Sequence, residues 1–241
     1  MHLIPGAVAV AGICAVGGLV SWAAIAPSSQ LFGATIRETG DGSKMAVTFD
    51  DGPNPAITPQ LLDLLDRHDA KATFFLIGRF VKAYPDLAKE IAQRGHTIGN
   101  HTFTHPPLAL QSSSRIAEEL RECDSAIEGA TGRKPRWMRP PFGFRGPHLA
   151  RVLKSRGEEH MVMWSIWARD WKPQPPEPVI ARLQRAKGGD MVLLHDGDHR
   201  APVGDRKHVL AALKHWLPRW KSAGLNFATL DDLKPYGRAG G

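Results

Sequence analysis

The sequence predicts an α/β protein whose parallel strands close, or nearly close, into a (β/α) barrel of about seven strands, preceded by an N-terminal apolar helix. After residue 43, short apolar runs alternate with amphipathic segments, and repeated strand–helix units of this kind form a parallel sheet. About seven units follow one another, which is typical of a barrel. The chain has no Gly-rich dinucleotide loop, which disfavours the alternative, a doubly wound open sheet.

The strands are predicted from short apolar runs that end at turn residues. The first run, MAVTF, is followed at once by Asp50 and Asp51, and Gly52-Pro53 then stops it. The predicted strands cover residues 45–49, 72–78, 96–101, 136–140, 160–166, 190–195 and 226–230.

The helices are predicted from apolar residues that recur with the 3.6-residue period. In the first helix, Thr58 is the expected N-cap and Pro59 suits the first turn. The predicted helices cover residues 58–68, 84–95, 112–128, 147–156, 179–186 and about 205–223.

The N-terminal segment is strongly apolar, because residues 3–26 contain no charged side chain. Such a run is long enough to span a bilayer, which takes about 20 apolar residues. An uncleaved anchor is therefore the first interpretation, and a cleaved signal peptide or a buried structural helix are the alternatives. Either of the first two places the rest of the chain outside the cytoplasm.

The composition excludes few functions. The formal net charge of +7 fits an anionic neighbourhood such as a wall polymer or acidic lipid, but basic and acidic residues are interspersed and no nucleic-acid motif is present. Two cysteines, Cys14 and Cys123, are too few for a disulfide framework, and Cys123 lies on an apolar helical stripe. We therefore expect no nucleic-acid partner.

Polar side chains follow the ends of several predicted strands, where the reactive groups of a barrel lie. In chain order they are Asp50 and Asp51, His101 and His105, Arg139, Asp170 and His195. Because separate strands deliver them to one rim, we expect these carboxylates, histidines and arginine to share a site. The cations would also compensate the repulsion between the two adjacent aspartates.

The stretch HTFTH, residues 101–105, is a candidate metal site. Two histidines four residues apart present their imidazoles to one side if a helical turn forms between them. With Asp51 they make a set of two histidines and one carboxylate, which suits zinc and leaves a position open for water. The same ligands also suit iron, cobalt or manganese, so the sequence leaves the metal open.

Five short motifs, in this order, resemble one known family. TFDDGP, HTFTH, RPPFG, RDW and LLHD are similar to motifs of the metal-dependent polysaccharide deacetylases, carbohydrate esterase family four, which include chitooligosaccharide and peptidoglycan N-acetylglucosamine deacetylases. The resemblance runs from about residue 44 to residue 233 and implies a distorted (β/α) barrel. It also implies one divalent metal ion, with Zn²⁺ expected and Co²⁺ or another divalent ion as alternatives.

The resemblance assigns a role to individual residues. It implies that Asp51, His101 and His105 bind the metal. The catalytic residues would be Asp50 as general base, Arg139 as the residue that orients it, His195 as general acid and Asp170 as the partner of that histidine. The substrate-binding residues would be Pro140, Phe142 with its backbone N–H at the oxyanion, Trp171 as a wall of the groove, and Leu193 and Leu194 beside the acetyl methyl group.

Two features depart from the commonest family pattern, and several polar residues fall outside the motifs. Phe142 replaces a frequent tyrosine, and Ser165 and Trp167 stand where many members have acidic residues. The second departure leaves two alternatives for the partner of His195. In one, Asp170 braces Arg139 instead; in the other, Asp196 is the partner, although neighbouring side chains on a strand point to opposite faces. Asp198, His199 and Arg200 are expected to contact substrate at most, not to catalyse. The histidines interpreted as surface or capping residues are His96, His148, His160, His208 and His215.

The sequence thus predicts a monomeric hydrolase that removes N-acetyl groups from a glycan containing N-acetylglucosamine, such as peptidoglycan, chitin-like polymers or poly-N-acetylglucosamine. The alternatives are an O-acetyl esterase of the acetylxylan type, a hydrolase of small cyclic amides, and a catalytically silent carbohydrate-binding relative. The predicted organisation is a signal-anchor or signal peptide (1–27), a linker (28–43), a polysaccharide deacetylase catalytic domain (44–235) and a flexible tail (236–241). We expect the catalytic domain in the periplasm or at the cell surface.

Overall fold

The computed structural model describes residue 18, residues 20–157 and residues 160–233. Most of the predicted N-terminal apolar helix and the predicted tail, residues 236–241, lie outside the described residues. Residues 20–25 are helical. Among the helices that can be described, none has both the length and the apolar character needed to cross a bilayer.

Among the described residues eight strands carry the fold, and all but the first begin inside a predicted strand or one residue before it. They are β1 (Ala34–Ile36), β2 (Lys44–Gly52), β3 (Thr73–Leu76), β4 (Thr97–Asn100), β5 (His160–Val162), β6 (Ile166–Trp167), β7 (Met191–His195) and β8 (Asn226–Phe227). The single strand predicted over residues 160–166 is divided into β5 and the start of β6. Residues 136–140, also predicted as a strand, contribute only one bridge, at Met138.

Helices connect these strands. They are α1 (Thr58–Arg67), α2 (Gly78–Ala83), α3 (Pro85–Gln93), α4 (Ser113–Thr131), α5 (Pro147–Ser155), α6 (Pro176–Leu183) and α7 (Lys207–Ser222). Short 3₁₀ turns lie at Leu108–Leu110, Pro141–Gly143 and Leu230–Asp232. The prediction of Thr58 as N-cap is wrong, since Ile57 is the N-cap and the Thr58 hydroxyl donates instead to the buried Asp196 carboxylate.

The main sheet is parallel and centred on β2. Its strand order is β4-β3-β2-β7-β6, and β8 pairs with the first residues of β2. In the register between β2 and β7, Phe49 lies opposite Leu194 and Asp50 lies opposite His195. Parallel strands in register bring their carboxyl ends to one edge, so this pairing builds the rim of the site.

Shorter contacts close the sheet into a distorted barrel. Met138 forms a parallel bridge with Asn100 at the end of β4, and its carbonyl accepts the N–H of Val162 in β5 at 2.9 Å. β5 pairs in parallel with β1, and beyond β1 Glu38 forms a bridge with Asp190, just before β7. The predicted α/β fold with parallel strands is therefore confirmed, and the distortion lies where single bridges replace strands.

The two faces of the strands have different neighbours. Phe49 and Leu194 are fully buried in the main core cluster, together with apolar residues of the surrounding helices. Each such side chain contributes about 1.5–3 kcal/mol by burial. On the opposite face, Thr48 and Asp50 meet the guanidinium group of Arg139, which is itself fully buried. The barrel interior is thus partly polar.

The segment interpreted as a linker, residues 28–43, is packed against the barrel. This segment contains β1. The buried side chain of Arg145 holds the residues that precede β1. Its Nη1 donates to the carbonyl of Ser29 at 2.8 Å, and its Nη2 donates to the carbonyl of Ala23 at 3.2 Å and to that of Ala26. The Arg145 N–H also donates to the carbonyl of Ala24 at 2.9 Å. The glycine and polar residues of this segment are typical of a linker. Its packing depends on Arg145, which is distant in sequence, so the local composition does not indicate it.

Candidate metal and hydrolytic site

The predicted metal ligands come together at the carboxyl ends of β2 and β4. Asp51 lies in the last part of β2, and His101 and His105 follow β4; all three side chains are buried. Oδ1 of Asp51 lies 3.5 Å from Nε2 of His101 and 3.2 Å from Nε2 of His105. One potential ligand atom from each residue lies within 4.8 Å of the other two.

The chemistry of this donor set fits a divalent metal ion. Oδ1 of Asp51 is buried and has no hydrogen-bond partner among the residues described, which is costly for a carboxylate oxygen unless a cation binds it. Burial alone would raise the pKa of Asp51, but the nearby imidazoles of His101 and His199 hold it well below its usual value. Burial and the neighbouring His101 lower the pKa of His105 to about 3, so its imidazole is neutral, as a metal ligand must be.

The two histidines lie on a loop, and no helical turn forms between them. Thr102 and His105 both have left-handed backbones, with φ of 66° and 65°. The buried Glu119 of α4 holds the loop, because its Oε2 accepts the N–H groups of Phe103 at 2.9 Å and Thr104 at 2.7 Å. Nδ1 of His101 donates to the carbonyl of Arg139 at 2.8 Å, which leaves Nε2 free to face Asp51.

Asp50 lies beside the metal set but has a different partner. Its Oδ1 accepts from Nη1 of Arg139 at 2.7 Å, and its Oδ2 lies 3.7 Å from Nε2 of His101. Arg139 also donates to Oγ1 of Thr48 at 2.8 Å and to the carbonyl of Met163 at 2.9 Å. The guanidinium group is therefore fixed, and one carboxylate oxygen of Asp50 remains directed towards the metal set.

His195 ends β7 and is paired with Asp170. Nδ1 of His195 donates to Oδ1 of Asp170 at 3.0 Å, and the backbone N–H of His195 donates to Oδ2 of the same carboxylate at 2.7 Å. Burial alone would lower the pKa of His195, but the charge of Asp170 and this hydrogen bond raise it to about 9. The imidazole is therefore protonated at neutral pH and can donate a proton.

The competing partner, Asp196, points away from His195. Its side chain is fully buried and accepts the hydroxyl of Thr58, while its backbone carbonyl accepts Nδ2 of Asn54 at 2.9 Å. Burial raises the pKa of Asp196 to about 7. The alternation of side chains along a strand explains why Asp170, and not the neighbour in sequence, contacts the histidine.

The predicted substrate residues divide into two groups. Phe142, with a left-handed φ of 59°, and Trp171 are exposed at 47% and 39%, so both rings are accessible to a ligand. Pro140 is buried next to Arg139. Leu193 shares a face of β7 with His195, whereas Leu194 lies in the main core cluster. The prediction that Leu194 lies beside the acetyl group is therefore wrong, because side chains alternate along a strand.

Three histidines have surroundings in the structure that the sequence did not indicate. The ring of His199 stacks on that of His105, with centroids 4.5 Å apart and planes at 20°. His208, interpreted as a surface residue, is buried and its Nε2 donates to the carbonyl of Asp170 at 2.8 Å. His96 is likewise buried, and its Nδ1 accepts the N–H of Ala72 at 3.1 Å. The one signal for His199 is its position four residues after His195, in the loop that leaves the same strand.

The chain is similar to several known proteins. The family described as polysaccharide deacetylase matches residues 37–160. A chitooligosaccharide deacetylase of Azorhizobium caulinodans is 36% identical over 203 residues, which cover 81% of this chain and 96% of the relative. A peptidoglycan-N-acetylglucosamine deacetylase of Bacillus cereus is 38% identical over 196 residues, covering 80% of this chain and 88% of the relative.

Solved structures are similar as well. The Bc1960 peptidoglycan N-acetylglucosamine deacetylase, crystallised with a hydroxamate-type benzamide, superposes with a TM-score of 0.74 at 30% identity, covering 83% of this chain and 90% of that one. A protein of Bacillus anthracis described as a CE4 family pseudoenzyme, BA3943, superposes equally well, with a TM-score of 0.74 at 29% identity over 86% of this chain and 72% of that one. A similar fold therefore does not by itself establish catalysis, which depends on the residues of the site.

Proposed function

Because this chain belongs to the polysaccharide deacetylase family, we propose that it hydrolyses the N-acetyl groups of N-acetylglucosamine residues in a polysaccharide or oligosaccharide. The proposal rests on one observation: three kinds of chemical group lie together at the carboxyl ends of the strands. The donor set around Asp51 can hold a metal, Asp50 can accept a proton, and His195 can donate one.

One divalent ion would be held by Asp51, His101 and His105, and we propose zinc, with cobalt or another divalent ion as alternatives. When bound there, such an ion supplies a water of lowered pKa and polarises the acetyl carbonyl. The neutral imidazole of His105 and the ionised carboxylate of Asp51 are already in the protonation states that ligands need.

Asp50 would act as the general base. Its Oδ1 is occupied by Arg139 at 2.7 Å, so Oδ2, on the side of the metal set, is the oxygen that would take the proton of the attacking water. Arg139 would therefore keep the base correctly oriented.

His195 would complete the reaction as general acid. Addition of water to the acetyl carbonyl leaves a negative oxygen, for which the backbone N–H of Phe142 is the proposed donor from this chain. The protonated imidazole of His195, held by Asp170, would then give its proton to the amide nitrogen as the carbon–nitrogen bond breaks. Acetate and a free amino sugar are the products.

The exposed aromatic rings support a glycan as substrate. Trp171 stacks on Trp167, with centroids 5.0 Å apart and planes at 19°, and both rings are partly open to solvent. Trp171 directly follows Asp170, so this aromatic surface begins at the acid side of the site. We propose that it forms a wall of the groove, since an aromatic face suits the apolar face of a sugar ring.

The wider setting of the activity is also a proposal. The uncharged run of residues 3–26 supports an anchor or export signal, and therefore a catalytic domain that acts outside the cytoplasm as a monomer, in the periplasm or at the cell surface. Relatives named for chitooligosaccharides and for peptidoglycan support a polymer of N-acetylglucosamine as substrate.

The test uses the full chain in detergent, stripped of metal with a chelator and reloaded with zinc or cobalt. The purified protein is incubated with N-acetylglucosamine pentamer, with digested peptidoglycan and with acetylated xylan, and acetate release is measured. Metal-dependent release from either of the first two supports the proposal. Release from xylan alone would assign an O-acetyl esterase instead, and metal binding without release from any glycan would assign a silent relative.

A further inference from the structure

The two candidate metal-binding histidines are oriented by different means. His101 donates from Nδ1 to the carbonyl of Arg139 at 2.8 Å, a contact that fixes both its tautomer and the direction of its ring. Nδ1 of His105 is buried but, within the described part of the chain, has no hydrogen-bond partner. Something other than a hydrogen bond must therefore hold the plane of the His105 ring.

Aromatic packing takes that place. The ring of His199 lies nearly parallel to that of His105, with centroids 4.5 Å apart and planes at 20°. On the same imidazole, Phe142 makes an edge contact, with centroids 4.6 Å apart at 75°, and His101 makes another, 4.9 Å apart at 63°. His199 also meets the edge of Phe142 at 5.3 Å. His105 is thus confined by rings, and His199 is the one that covers a face.

The loop that carries His199 is itself fixed. The guanidinium group of Arg79 donates to the backbone carbonyl of His199. Asp198 accepts from the backbone N–H of Arg200 at 3.0 Å and from its guanidinium at 2.9 and 2.7 Å, and a bridge joins Asp198 to Ala201. The stacked position of the His199 ring therefore rests on an ordered turn.

We propose that His199 is a positioning residue for the metal ligand His105. By covering one face of that imidazole, His199 fixes the ring plane and keeps Nε2 directed towards Oδ1 of Asp51, 3.2 Å away. Packing here replaces the hydrogen bond that orients His101. The inference rests on the proposed function, since it concerns the same metal site.

The geometry distinguishes this role from direct ligation. Nδ1 of His199 lies 3.8 Å from Oδ2 of Asp51, the oxygen that does not face His105. The compact set of potential ligand atoms contains Asp51, His101 and His105 and leaves His199 out. The side chain of His199 is also 34% exposed, unlike the three buried ligands. Its contribution to metal binding would therefore pass through His105.

The experiment compares two substitutions in the full-length protein. His199→Phe keeps an aromatic face against His105 and removes both ring nitrogens, whereas His199→Ala removes the face as well. Dissociation constants for Zn²⁺ and Co²⁺ are measured without substrate by competition with a chromophoric chelator, and the visible spectrum of bound Co²⁺ is recorded. We expect His199→Ala to weaken metal binding by about tenfold, as for other residues that orient a ligand. We expect His199→Phe to bind metal like the wild type.

The other outcomes are informative in the same way. Equal weakening in both variants would show that a nitrogen of His199 matters, and unchanged binding in His199→Ala would show that no positioning is needed; either result overturns the proposal. His148→Ala, which removes an exposed imidazole bonded to Ser113, is the control and should bind metal normally. Thermal unfolding of the metal-free proteins separates loss of folding from loss of affinity. Wild-type acetate release with unchanged metal binding in His199→Ala would refute this inference alone and leave the proposed function standing.

Discussion

Asp50 and His195 lie directly opposite each other in the parallel pairing of β2 and β7. Their side chains share the face of the sheet that points into the barrel, where Arg139 holds the first and Asp170 holds the second. A proposed base and a proposed acid are thereby fixed by backbone register instead of by mobile loops. This arrangement suits a reaction in which one proton is taken from water and another is given to a leaving nitrogen.

Replacing Asp50 by Asn should abolish turnover and keep ligand binding. The amide keeps the shape and can still accept from Arg139, but it cannot take a proton from water. We expect acetate release to fall by about 10²- to 10⁴-fold, the usual range for loss of a general base. Metal affinity and retention on insoluble glycan are measured beside it, with the exposed Asp63→Asn as the control. Wild-type rates in Asp50→Asn would contradict the assignment.

The alkaline limit of activity should depend on Asp170. The pKa of His195 is raised to about 9 by Asp170, so the acid form is present below that pH and is lost above it. In Asp170→Asn the charge is gone and burial, which lowers the pKa of His195, dominates. The alkaline limb of the kcat profile should therefore move to lower pH. A limb that stays in place while kcat falls uniformly would assign a merely structural role to Asp170.

The free energy of unfolding should decrease as the pH rises, and the decrease should depend on Asp196. Burial raises the pKa of this carboxyl from 3.8 to about 7 in the folded protein. A raised folded pKa contributes stability that is fully present below the unfolded pKa and is lost as the pH rises through the folded one. Between about pH 4 and pH 7, the free energy of unfolding of the wild type should decline relative to Asp196→Asn by at most about 1.4 kcal/mol per pH unit.

Denaturant titrations of the two metal-free proteins at several pH values measure that difference. Asn at this position can still accept the Thr58 hydroxyl, so the comparison isolates the titration of the carboxyl. Parallel pH dependences in the two proteins would show that Asp196 is ionised in the fold.

Loss of the Arg145 side chain should release the N-terminal segment from the barrel. Its guanidinium holds the carbonyls of Ala23, Ala26 and Ser29, and in Arg145→Met these acceptors lose their charged donor. We expect a loss of about 1–3 kcal/mol in the free energy of unfolding.

Faster proteolysis between residues 26 and 33 should accompany that loss. The exposed Arg151→Met on α5 is the matched control and should change neither property. Unchanged proteolysis in Arg145→Met would mean that the contacts of β1 alone hold the segment.

Much of the site could be predicted from the sequence because its residues follow strand ends. Asp51, His101 and His105 are far apart in sequence from Arg139 and His195, yet a parallel barrel sends the residues after each strand to one rim. Motif order and apolar periodicity therefore predicted the members of the site. The choice between Asp170 and Asp196 followed the same logic, since side chains alternate along β7.

Other residues could not be predicted because their roles depend on contacts between distant segments. Leu194 looks like Leu193 in sequence, and only the sheet shows which of them faces the core. Glu119 holds the metal loop from α4, 15 residues after Thr104, and nothing in the helical pattern marks it. The segment before β1 has a linker composition, but Arg145 binds it from more than a hundred residues away.

Local sequence patterns predicted most of the strands and helices and the chemical groups at the ends of the strands, because periodicity and turn residues act over a few neighbours. The orientation of those groups depends instead on tertiary contacts. The plane of the His105 ring, the fixed side of the Asp50 carboxylate and the packing of the N-terminal segment each depend on side chains that the chain brings together from separate elements. The orientation of these side chains depends on packing between separate elements, which local sequence patterns do not predict.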